Sequence, residues 1–137
     1  MVLTHVVDTS VVTRARRPEV AARLGALLRG RQVGCTPMTT LEAGFSARTA
    51  REFDALTEAL DVFERVPVVD ADFRHAQTIQ RILALHGHRG RKIPDLLIAA
   101  AAERLGLAVL HYDYDFELIA EVTGQAHEWV VPRGSVD

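Results

Sequence analysis

Asp8, Glu42, Asp95 and Asp113 lie far apart in the chain, yet each borders an apolar run: His5-Val-Val-Asp8-Thr9-Ser10, Thr39-Thr-Leu-Glu42, Ile93-Pro94-Asp95-Leu-Leu-Ile-Ala-Ala and Ala108-Val-Leu-His-Tyr-Asp113. Asp115 follows closely on the last of them. A carboxylate at the end of a buried element costs desolvation energy unless something offsets its charge, and a divalent cation is the usual compensation. Carboxylates that converge attract hard, oxygen-preferring cations, and such sites suggest phosphodiester chemistry. Convergence depends on the elements that carry them.

Each acid also has a plainer reading. Asp8 can cap the turn after its strand through an Asx-type bond. Thr39 and Glu42 have the spacing of a capping box, which would put Glu42 in the first turn of a helix. Asp95 can complement a helix dipole. Asp113 can cap a helix whose first turn holds Asp115. Thr9 and Ser10 are either local turn formers or hydroxyls that orient Asp8 or a water beside a metal. His86-Gly-His88, without cysteine nearby, reads as a solvated pair, and His111 as a core or rim residue; no histidine is assigned as a general base. Arg14, Arg16 and Arg17 follow the first strand, while Arg89, Arg91 and Lys92 precede Asp95. Both basic groups are solvated surface or, given the acids beside them, positions that hold the phosphates of a substrate.

The elements follow from pattern. Leu3–Val7 is short, apolar and β-branched, and predicts a strand. Pro18 suits the first position of a helix, and Val20, Leu24, Leu27 and Leu28 continue it at helical spacing as far as Gly30. Strands are expected at 32–36 and 108–111, with a short extended piece at 67–69 and a last edge strand at 128–131. Phe53, Leu56, Leu60 and Phe63 fit an amphipathic helix, and Phe73, Ala76 and Leu83 another that ends near Gly87. Residues 94–105 are apolar on most faces, so a buried helix is expected, stopped by Gly106. Residues 116–122 make a short helix stopped by Gly124. Strands thus alternate with helices, which predicts one α/β domain over residues 1–137, with a mainly parallel central sheet and helices on both faces. In such sheets ligands bind beyond the carboxyl ends of the strands. Asp8 and Asp113 both sit there, so the acids are able to meet.

Composition narrows the field. With 137 residues, 48% of them hydrophobic, the chain can bury a core without staples. A net charge of −2 neither advertises nor excludes a nucleic-acid partner. The single cysteine, Cys35, cannot form a disulfide within the chain and reads as a core residue, which favours a reducing compartment. No run is long and apolar enough for a membrane span, so a cytoplasmic protein is expected. Aromatic residues are 6% of the chain, without a stacking run for bases.

The ordered set of His5-Val-Val-Asp8-Thr9-Ser10, Glu42, Ile93-Pro94-Asp95 with its apolar run, and Leu110-His-Tyr-Asp113-Tyr-Asp115-Phe116 resembles the PIN-domain ribonucleases, and among them the VapC toxins of bacterial toxin–antitoxin pairs. The closing Trp129-Val-Val-Pro-Arg-Gly134-Ser135 is similar to a VapC C-terminus. The resemblance covers nearly the whole chain, and no position of the acidic quartet departs from the pattern. It implies a compact α/β/α fold, endonucleolytic cleavage of RNA with magnesium or manganese, neutralisation by a cognate VapB-like antitoxin, and self-association, for which the apolar residues of the 53–63 helix are candidates. The positions it implies for the metal site are Asp8, Glu42, Asp95 and Asp113, with Asp115 as an auxiliary.

Other classes stay open at this level. Asp113-Tyr-Asp115 after a strand superficially resembles the Asp-x-Asp motif of haloacid-dehalogenase-type phosphatases, although that motif normally comes early in a chain. A receiver-like phospho-acceptor also clusters acids at strand ends, but it needs a lysine, and Lys92 is the only one. A non-catalytic binding module on a PIN-like scaffold is the third, against which the complete acidic set argues.

Overall fold

A computed structural model describes residues 2–137. Five short strands, β1 (His5–Val7), β2 (Val33–Cys35), β3 (Glu64–Arg65), β4 (Ala108–His111) and β5 (His127–Trp129), form one sheet in the order β3-β2-β1-β4-β5. Every pairing is parallel. β1 is central, with Val7 in register with Cys35 on one side and Leu110 on the other. A parallel sheet must be covered on both faces, and side chains that alternate along each strand show how this is done. Val6 and Val109 point into one core, packed with Ile79 and Leu83 of α5 (Asp70–Leu85), Leu96 and Ile98 of α6 (Ile93–Leu105) and Phe116 and Ile119 of α7 (Tyr114–Thr123). Val7 and Leu110 point into the other, with Val11 of α1 (Thr9–Val12), Leu24 and Leu27 of α2 (Pro18–Arg29), Ala43 of α3 (Pro37–Phe45) and Leu60 of α4 (Ala50–Leu60).

α6 is the helix that carries Asp95 into the molecule. Leu96 to Ala102 are all buried, as its apolar run predicts. Gly106, at φ 69°, ends it in the left-handed conformation that glycine adopts without strain. Arg104 near its end reaches Asp72 at 2.8 Å, while Asp72 Oδ2 accepts the Val69 amide at 2.9 Å, so the start of α5 is tied to the end of α6. Among the described residues, no helix is long and apolar enough to cross a membrane.

The sheet differs from the sequence reading at its edges. The third strand is Glu64–Arg65, not residues 67–69. Both its side chains are exposed, so it pairs through backbone alone and leaves no hydropathy signal, and Pro67, lacking an N–H, cannot extend it. The last strand is His127–Trp129, and Val130 and Val131 fold into the core instead. α4 stops at Leu60, which leaves Phe63 outside it. The Thr39–Glu42 capping box is absent. Thr36 is the N-cap of α3, accepting the Thr39 amide at 3.4 Å, and Pro37 takes the first helical position, so Glu42 lies in the middle of the helix. A short helix, α1, also follows Asp8 where only a turn is expected.

Candidate active site

Asp8 leaves β1 at the centre of the carboxyl rim and is the N-cap of α1. Its Oδ2 accepts the Ser10 amide at 3.0 Å and the Ser10 hydroxyl at 2.6 Å. Ser10 Oγ also accepts the Tyr112 amide at 2.8 Å, which ties the segment after β1 to the one after β4. Asp113 is the N-cap of α7; its Oδ1 accepts the Asp115 amide at 2.9 Å and its Oδ2 lies 3.2 Å from Lys92 Nζ. Asp95 is in the first turn of α6, whose amino end is turned to the same rim. Each of Asp8, Asp95 and Asp113 offers an oxygen within 4.8 Å of the others. They line an open cleft of about 470 Å³, together with Thr9, Glu42 and Lys92.

The electrostatics of this triplet are unfavourable by themselves. Burial pushes the Asp95 carboxyl up to about 8, and the charges of Asp8, Asp113 and Asp115 add to it, while Lys92 offsets part. Burial also raises Asp8, against the Ser10 hydrogen bonds that lower it, with Glu42 and Asp113 adding repulsion. Lys92 is held up in turn: burial works against its ammonium, but the negative charges of Asp95, Asp113 and Asp115 outweigh that. Asp8 Oδ1 and Asp95 Oδ2 are buried without a hydrogen-bond partner. Orphaned carboxylate oxygens in an all-oxygen donor set fit a hard divalent cation such as magnesium or manganese, and do not fit a thiolate- or imidazole-seeking metal.

Residues 5–122 match the PIN domain. Over 137 residues the chain is 49% identical to Ribonuclease VapC51 of Mycobacterium tuberculosis, covering 100% of both proteins. It is 47% identical to Ribonuclease VapC18 of the same organism, over 95% of this chain and 97% of that one.

The chain belongs to the VapC-type PIN-domain family.

A DNA-bound VapBC structure from Salmonella typhimurium superposes with a TM-score of 0.79 at 17% identity, over 94% of this chain and 99% of that one, a likeness of fold. VapBC-5 of Mycobacterium tuberculosis superposes at 0.61 with 29% identity, over 91% and 95%. A PIN domain of this kind accounts for the single α/β unit and its wholly parallel sheet.

The other sequence-predicted positions separate. In this PIN domain Glu42 reaches the cleft from α3 but stands outside the triplet, accepting the Thr9 hydroxyl at 2.7 Å. Asp115 turns away to pair with Arg91 Nη1 at 2.7 Å. Asp113 and Asp115 therefore do not share one cleft, as an Asp-x-Asp phosphatase pair would. Arg14 lines the cleft, stacks over the Tyr112 ring at 4.8 Å, and donates to the Ser10 and Asp137 carbonyls. Arg17 pairs with the Asp137 carboxylate at 2.9 Å, and Arg16 and Arg89 are exposed.

Sequence reasoning missed Tyr112 and His127. The Tyr112 hydroxyl donates to the Val136 carbonyl at 2.8 Å and accepts the Gly134 amide at 2.8 Å, which fixes the C-terminal segment beside the site. His127 meets His111 across the β4–β5 pairing. Neither residue carried a local signal, because both contacts join distant segments.

Proposed function

We propose that this protein is an endoribonuclease toxin that requires magnesium, with manganese as a substitute, and that a cognate VapB-type antitoxin neutralises it in the cytoplasm. The observation that carries this reading is the Asp8–Asp95–Asp113 triplet with its orphaned, charge-crowded oxygens. The relatives' names, ribonuclease and VapBC, support the substrate class and the partner.

Asp8, Asp95 and Asp113 would hold the ion, with Glu42 and Asp115 acting from its surroundings. The ion would polarise a phosphoryl oxygen and lower the cost of activating water for in-line attack. Ser10 and Thr9 fix the carboxylates of Asp8 and Glu42 through their hydroxyls, so that those oxygens are already aimed before RNA arrives. Lys92 at the cleft and the exposed Arg16 and Arg89 take RNA phosphates, with Arg14 and Arg17 contributing through nitrogens that their present partners leave free and Arg91 by exchanging Asp115 for phosphate. The antitoxin blocks the site by bringing an arginine to the same carboxylates, a charge-assisted bidentate contact. Leu41, Phe45 and Phe53, exposed on α3 and α4, are suited to self-association.

Purified protein incubated with RNA and with DNA of the same sequence, in magnesium, manganese or EDTA, tests the reading. Cleavage of RNA alone, lost in EDTA and lowered by orders of magnitude in Asp8→Asn and Asp95→Asn, is the expected result. Wild-type rates in EDTA overturn it.

A further inference from the structure

His111 closes β4 and is completely buried, yet both of its ring nitrogens are engaged. Nδ1 accepts the Asp113 amide at 3.1 Å, and Nε2 lies 2.8 Å from His127 Nδ1. The first contact fixes the proton. A backbone amide can only donate, so Nδ1 is bare and Nε2 carries the hydrogen. Nε2–H therefore donates to His127 Nδ1, and His127 keeps its own proton on Nε2. Phe116, His127 and Trp129 pack around the ring with centroids at 5.1, 5.1 and 4.9 Å. A flip of the ring would put carbons in place of both nitrogens and break both bonds.

What this ring holds is the two-residue span that joins β4 to α7. The Tyr112 amide donates to Ser10 Oγ, which is itself bonded to Asp8, and the Asp113 amide donates to His111. Both amides of the span are thus held by side chains rather than by the sheet. Asp113 is the acid that faces Asp8 and Asp95, and the direction of its carboxylate follows from its backbone. We infer that His111 is a positioning residue of the metal site, resting on the metal reading above: through the Asp113 amide it sets where that carboxylate meets the ion, and His127 keeps it in the one tautomer that can do so. Packing alone needs no acceptor aimed at that amide.

The test is calorimetric titration of manganese into metal-free wild type, Asp95→Asn and two pairs of variants, with circular dichroism confirming each fold. His111→Asn keeps an acceptor at the Nδ1 position. His111→Gln puts its amide near Nε2 and leaves the Asp113 amide unheld. Both lose the ring, so packing loss is common to them. His127 is half-exposed on the edge strand; His127→Phe removes the acceptor and His127→Asn restores one.

His111→Gln is expected to weaken manganese binding about 10- to 100-fold, the usual effect of losing a group that orients a metal ligand, while His111→Asn keeps most of it. His127→Phe weakens it less, and His127→Asn recovers. In RNA cleavage the loss falls on kcat rather than KM, because the RNA-binding cations are untouched. Equal affinities for the two His111 variants, with His127→Phe at the wild-type value, overturn the inference. If the His111 variants do not fold, the His127 pair decides: a weakened Phe variant rescued by Asn supports it, and an unchanged Phe variant overturns it. Wild type that binds no more manganese than Asp95→Asn overturns the metal reading and this inference together, whereas tight wild-type binding with unchanged variants overturns the inference alone.

Discussion

Replacing Asp95 by asparagine should make the metal-free protein more stable at neutral pH, although it removes a carboxylate from a helix N-terminus. Burial, then the charges of Asp8, Asp113 and Asp115, lift the Asp95 carboxyl from its ordinary 3.8 to about 8, with Lys92 opposing. The folded state thus binds a proton that the unfolded state has already released. A raised carboxyl destabilises the fold progressively as pH rises through 3.8 and reaches its full penalty above about 8. The cost accumulates at about 1.4 kcal/mol per pH unit, so its ceiling at pH 7 is near ~4 kcal/mol. Water entering the open cleft and local rearrangement reduce this, which leaves an expected gain of about 1–3 kcal/mol for Asp95→Asn. At this chain length that is roughly 3–10 °C in Tm. His111 tilts the profile the other way. Burial, then His127, lowers it from 6.5 to about 4, against a raising influence of Asp113, so its contribution is lost as pH falls through that interval. In wild type the two slopes oppose each other up to pH 6.5, and only the fall remains from there to about 8. The mutant should instead gain stability up to 6.5 and then change less, with Asp8, also raised, opposing part of that gain. Thermal unfolding of both proteins in EDTA, from about pH 5 to pH 9, reads this directly. A wild-type midpoint that climbs between 6.5 and 8, with the mutant less stable throughout, would refute charge crowding and leave Asp95 as a dipole cap.

Manganese at about 100 times its Kd should stabilise wild type by about 2.7 kcal/mol and leave the Asp95→Asn midpoint unmoved, measured by the same melts. Gly34→Ala should lower stability by about 1–3 kcal/mol in urea unfolding, because its Cβ would fall 2.4 Å from Val66 Cγ2 and 3.0 Å from the Glu64 carbonyl. Ser10→Ala removes both hydrogen bonds of one hydroxyl and leaves the Tyr112 amide without its acceptor, so a loss of about 1–3 kcal/mol should accompany reduced cleavage; unchanged melting and rate would exclude the tie between the two segments. Lys92→Ala should weaken RNA binding and flatten the dependence of log K on log salt by about 0.7, the share of one phosphate on a single strand; an unaltered slope in a filter-binding series would remove Lys92 from the phosphate contacts.

The fold was legible where hydropathy sets structure. The apolar β-branched run before Asp8 and the all-round apolar run after Asp95 could only be a buried strand and a buried helix, and Gly106 and Gly124 stop their helices as expected. It was not legible where backbone pairing acts alone, as in the exposed Glu64–Arg65 edge strand. Asp8, Asp95 and Asp113 could be singled out because acids at the ends of apolar runs are costly, and the topology then brings them within reach of one another. Glu42 could not be placed correctly, because Thr36-Pro37 and Thr39-x-x-Glu42 both look like a helix start, and the choice between them depends on how α3 enters the sheet. Arg14 and Arg17 were seen as a basic group, but their engagement with Asp137 joins opposite ends of the sequence and leaves no trace in either.

β1 lies in the middle of the sheet, yet its neighbour β4 begins only at Ala108, and their pairing is parallel. A chain emerging from the ribosome therefore carries Asp8 without the strand that will seat it until Ala108 and the residues after it have been made. Non-local parallel pairing of this kind forms late, since the intervening loop must close before the contacts reward it. Asp113 arrives later still, and α7 must dock before its carboxylate is oriented. The three carboxylates therefore first come together only after β4 and α7 have been made and have docked. In the nuclease proposed above, that docking is the last step before the site exists, and sheet topology rather than any residue of the site sets when it comes.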